Sequence, residues 1–95
     1  MAYIEAARCR AIVQAASKKV RAPGVKAMLR MDERGAWESE ACELIRSVEA
    51  GPLWPKLVAE RGPAAAEKVL VKEAAVMLAL KALTAQMNVQ RKRGG

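Results

Sequence analysis

Between about residue 64 and residue 90 the apolar positions fall on two sides of a helix. At about 100° per residue, Val69, Val76, Leu80, Leu83 and Met87 line one stripe, while Val71, Ala74, Leu78, Ala85 and Val89 line the opposite side. Glu73, Lys81, Thr84 and Asn88 fill one flank and Lys68, Lys72, Gln86 and Gln90 the other. The double stripe is therefore a pattern and not general greasiness. A helix with one apolar stripe packs on a single core, whereas a helix with two has to be covered from both sides. That second cover is either the chain's own shorter helices or another molecule, and Val71, Leu78 and Val89 are the expected contacts to a protein partner or a second copy.

Glycine and proline divide the rest of the chain. A first helix is expected over about residues 2–21, with Cys9, Ile12, Val13, Ala16 and Val20 as its apolar arc. It stops at Ala22-Pro23-Gly24, where proline removes a donor and disfavours α geometry in the residue before it. A short helical turn over residues 25–31 follows. Asp32 is placed to cap a third helix ending near residue 50, whose stripe is Trp37, Ala41, Leu44 and Val48. Gly51-Pro52 ends it. Pro55 opens a short helix through Leu57, Val58 and Arg61, and Gly62-Pro63 resets the chain for the two-faced helix. The expected fold is all-α, an irregular bundle of four or five helices with the long C-terminal one central. One domain over residues 1–90 and a basic tail over 91–95 describe the organisation.

Composition changes this picture little. At 95 residues the chain supports one domain, and with 53% hydrophobic residues it is too apolar for composition-driven disorder. With no Phe, one Tyr and two Trp the core is built from aliphatic side chains and Met, and scattered β-branched residues do not suggest a sheet. Cys9 and Cys42 sit at apolar helical positions without a Cys-x-x-Cys spacing, and there is no His. The expectation is a reducing, cytoplasmic setting in which both thiols are small core residues, with a disulfide between them the lesser alternative. The first five residues show no basic start or apolar run, so no export signal is expected. No apolar run approaches the roughly 20 residues needed to span a bilayer. A soluble protein without a membrane role is the reading, with the virion as a second possible location.

Charge bears on partners. Up to Met31 there are seven Lys or Arg against Glu5 alone, a net of +6; residues 32–50 have a net of −4, and the remainder a net of +5. The acidic third helix either docks on basic neighbours within the fold or repels nucleic acid from one side. On the first helix Arg10, Gln14, Lys18 and Arg21 face away from the apolar arc, with Arg8 and Lys19 on a flank. A one-sided basic face is what phosphate neutralisation requires. Arg8, Arg10, Lys18, Lys19 and Arg21, together with the tail residues Arg91, Lys92 and Arg93, are the candidate nucleic-acid contacts. Aromatic stacking platforms are nearly missing, so contact with a duplex backbone is expected without base readout.

Sharper motifs fail. The ending Arg91-Lys92-Arg93-Gly94-Gly95 is similar to that of ubiquitin-like modifiers, but those folds are β-rich and nothing upstream reads as sheet. Two candidate helix-turn-helix segments, residues 16–30 and 58–70, place charge at buried positions or three alanines where base-reading side chains belong. The chain lacks the His of a triad or metal site, a phosphate-binding glycine pattern, and carboxylates spaced for glycoside work. No enzyme activity, cofactor, metal or small-molecule substrate is expected. Two functions remain: a small basic protein that binds nucleic acid through phosphates, as a homo-oligomer or within an assembly, or a structural or inhibitory module of viral or phage type that docks on another protein.

Overall fold

The computed structural model describes the backbone of residues 2–94 and the side chains of residues 6–89. Five α-helices follow one another: α1 (Ala2–Lys19), α2 (Pro23–Met31), α3 (Ala36–Ala50), α4 (Leu53–Arg61) and α5 (Pro63–Gly94), with a 3-10 turn at Glu33–Gly35 before α3. The fold is an all-α bundle. Helix α5, 32 residues long, is about 48 Å from end to end at 1.5 Å per residue, and it sets the 49 Å long axis of the molecule. It packs against α1, α2, α3 and α4, and α1 in turn packs against α2, α3 and α5.

The expected apolar arc of α1 is the core. Cys9, Ile12, Val13, Ala16 and Val20 are all buried. Against them lie Val25 and Leu29 of α2, Ala41, Leu44 and Ile45 of α3, and Leu70, Ala74, Ala75, Leu78, Ala79 and Ala82 of α5. Most of those α5 side chains are alanines, so α1 can approach the α5 backbone closely. The buried Ser17 hydroxyl donates to the Gln14 carbonyl at 2.7 Å, which satisfies it within its own turn.

Helix ends follow the sequence with small shifts. α1 stops at Lys19, two residues early, because Ala22 before Pro23 is held extended (φ −64°, ψ 118°). Arg21 therefore leaves the helical face it was expected to share. Pro23 opens α2 at a position where its missing N–H costs nothing. Asp32 caps α3 as expected, but from a distance. Its two carboxylate oxygens accept the backbone N–H of Trp37 at 2.7 Å and of Glu38 at 3.1 Å, reaching over a turn in which Asp32, Arg34 and Gly35 all have positive φ (39°, 64° and 66°). Its own N–H closes α2 on the Met28 carbonyl at 3.1 Å. One residue thus ends one helix and starts the next.

Two expectations are corrected. Cys9 and Cys42 are joined in a disulfide and are not separate thiols. α1 crosses α3 with these two positions facing one another, their Cα atoms 5.5 Å apart, within the range a disulfide spans. The reducing interior inferred from isolated thiols loses its premise. The second correction concerns the faces of α5. Leu78, assigned to a partner, is fully buried at 0% exposure, and Val71 packs half-buried on the same core; of that trio only Val89 is exposed. The other stripe is open in part: Val76, Leu80 at 59% and Met87 at 60% are exposed, while Val69 is half-buried and Leu83 packs half-buried on the core. Periodicity located both stripes and could not tell which one α1 would cover.

α5 continues through the basic cluster Arg91, Lys92 and Arg93 to Gly94, so the tail is the last turn of this helix; its side chains lie outside the described residues. Among the described residues no helix is long and apolar enough to cross a membrane.

Candidate nucleic-acid interface

The cations of the first 31 residues separate into two groups. Arg8 belongs to the fold. Its Nε donates to Glu67 Oε2 at 2.8 Å, its Nη2 to Glu67 Oε1 at 2.9 Å and to Glu49 Oε2 at 3.2 Å. The guanidinium thus ties α1 to α5 through a bidentate pair and to the end of α3 through a third bond. Burial works against the charge, but the hydrogen bonds to Glu67 and Glu49 outweigh it and hold the Arg8 pKa above its ordinary value. Arg8 is therefore removed from the set of phosphate contacts. Arg10 is paired as well, its Nε 3.3 Å from Glu38 Oε1, although its side chain stays 64% exposed. On α5, Lys81 donates to Glu40 at 3.0 Å. The acidic helix α3 accordingly docks on basic neighbours, as one of the two expectations for it held.

The second group is unpaired. Lys18 and Lys19 at the end of α1, Arg21 in the link, and Lys26 and Arg30 on α2 make no ion pair among the described residues. Four of them are exposed and Lys26 is half-exposed. Lys26 and Arg30 are one helical turn apart, on the side of α2 that leaves Val25 and Leu29 to the core. α2 packs on α1, which brings the two sets of cations to one edge of the molecule. From residue 6 to residue 31 there is no acidic residue at all. That gap was the available signal for Lys26 and Arg30, which a search confined to the faces of the first helix does not find.

A cleft of about 660 Å³ opens along this edge. Arg10, Gln14 and Lys18 of α1, spaced four residues apart, form one wall; Arg30 and Met31 at the end of α2, with Asp32 and Glu38, form the other. Both acids on that wall are engaged, Asp32 by the amides it caps and Glu38 by Arg10. Lys18 and Arg30 line the same opening from α1 and α2 and make no ion pair among the described residues. Such a pair, beside the exposed amide of Gln14, can hold an anionic oxygen from two directions. Among the described residues no group of three or more His, Cys, Asp or Glu side chains is arranged to hold a metal ion.

Compared with known protein families, with curated proteins and with solved structures, the chain matches none.

Proposed function

We propose that this protein is a non-enzymatic nucleic-acid-binding protein that grips phosphates, without reading bases, along the α1–α2 edge. The observation that carries this reading is the contrast in pairing. Every glutamate of α3 at positions 38, 40, 43 and 49 is engaged by a cation, yet Lys18, Lys19, Arg21, Lys26 and Arg30 make no ion pair among the described residues. Unneutralised cations gathered on one edge are what counterion release needs. No aromatic side chain lines that cleft to stack unpaired bases, so a duplex backbone is the ligand. Arg91, Lys92 and Arg93 in the last turn of α5 add a second positive region to the same protein.

Titration of unrelated duplexes of equal length at low salt is the direct test. The affinity should be the same on each sequence within about threefold and should fall steeply as salt is raised. Absence of binding by a protein shown to be folded would overturn the proposal. A second reading, a structural or inhibitory module that docks on protein, is favoured by one observation: the open apolar stripe of α5, with Val76, Leu80 and Met87 exposed.

A further inference from the structure

From Glu73 onward one face of α5 is left exposed among the described residues, with α3 beside it at Trp37 and Glu40. Val76, Met77, Leu80, Thr84 and Met87 are all exposed, with Met77 at 45% and Leu80 at 59%. At 100° per residue Glu73, Leu80, Met87 and Arg91 lie within about 40° of one another around the helix. Glu73 and Arg91 are separated by five full turns and so occupy the same azimuth. Between them the only charged residue is Lys81, which stands on a flank and is held by Glu40 at 3.0 Å. The face is therefore an uncharged apolar strip with an acid at one end and a basic turn at the other.

A strip of this kind is its own complement. We infer that a second copy of this chain docks there with its α5 antiparallel, giving a two-fold symmetric dimer. Centred on the level of residue 82, that alignment sets Glu73 of each copy at the level of the partner copy's basic last turn. It stacks Met77 on Met87 and Leu80 on Thr84 across the axis. A parallel alignment would set the two Glu73 carboxylates together and the two basic turns together, so the charges choose the direction. The two-fold also gives a closed, isologous contact, which leaves no free apolar end to propagate into a filament. An unrelated partner helix would need to carry the same charges in the reverse order, which only this chain is shown to do.

The test is solution mass by sedimentation equilibrium, without nucleic acid, so that it stands apart from the phosphate proposal. Wild type should be a dimer at tens of micromolar. Leu80→Lys should raise the dissociation constant by on the order of 100-fold and give a monomer with unchanged helical circular dichroism, since this side chain is exposed. Should Leu80→Lys lose helicity, the pair Met77→Lys and Met87→Lys reads the same contact. Glu73→Lys should weaken the dimer about 10-fold, and adding Arg91→Glu to it should restore the wild-type mass. A wild-type monomer near millimolar concentration overturns the inference. So does a folded Leu80→Lys protein that keeps the dimer mass, or a charge exchange that fails to restore it.

Discussion

The two ends of α1 have similar charge in the sequence and opposite roles in the molecule. Near its start Arg8 and Arg10 are consumed by Glu67, Glu49 and Glu38, and Cys9 between them is bonded to Cys42. At its end Lys18 and Lys19, with Arg21, Lys26 and Arg30 beyond, are exposed or half-exposed and make no ion pair among the described residues. The first half is a fastening and the second half is a surface. A count of charges along the chain assigns both to the same partner, and only the path of α3 and α5 across α1 separates them. Substitution of Arg8, Cys9 or Cys42 should therefore cost stability and leave binding alone, and substitutions in the second half should do the reverse.

The largest effect belongs to the disulfide. Replacing Cys9 and Cys42 by Ala, or reducing the bond, should lower unfolding stability by about 3 to 4 kcal/mol for a closed loop of this length. Urea denaturation of the oxidised and reduced protein measures this, and coincident curves would show that the bond adds nothing. Asp32→Ala comes next, at about 1 to 2 kcal/mol, since it strips the acceptor from two amides at the α3 N-terminus. The same change removes a negative charge from the cleft wall, so duplex affinity should rise slightly while the melting temperature falls. Both readouts moving down together would contradict the separation of roles.

Arg8→Gln should cost about 1 kcal/mol, the scale of a partly exposed bidentate pair, with no change in duplex affinity. Because the charged form of Arg8 is favoured in the folded state, its contribution is complete below the ordinary arginine pKa and is lost only above it. Chemical denaturation at pH 6 and pH 9 should give the same Arg8→Gln difference. The smallest stability effect, within about 0.5 kcal/mol, is expected for Lys26→Gln on the surface, and that variant should instead lose affinity for duplexes.

Much of the fold was legible before the structure. The arc of Cys9, Ile12, Val13, Ala16 and Val20 is periodic within one helix, and the Asp32 cap is local chemistry, so both can be read from neighbours in the chain. What could not be read depends on how distant segments cross. Cys9 and Cys42 are 33 residues apart, and Arg8 meets Glu67 across 59; no spacing rule connects such positions. The same limit governs α5. Leu78 and Leu80 are equally apolar in sequence, and the difference between 0% and 59% exposure is set by which side α1 lies on. Of the candidate contacts on α1, Lys18 and Lys19 remain on the surface, Arg8 and Arg10 are paired, and Arg21 falls outside the helix.

The division between fastening and surface is tested most directly by the slope of log affinity against log salt for one duplex. Lys18→Gln, Lys26→Gln and Arg30→Gln together should flatten the wild-type slope by about 2 to 3 units, near 0.9 for each phosphate that is no longer neutralised. Lys68→Gln with Lys72→Gln, two exposed cations on α5 away from this edge, should leave the slope unchanged. Equal slopes for wild type and the triple variant, with both proteins folded, would contradict the assignment of phosphate binding to the α1–α2 edge.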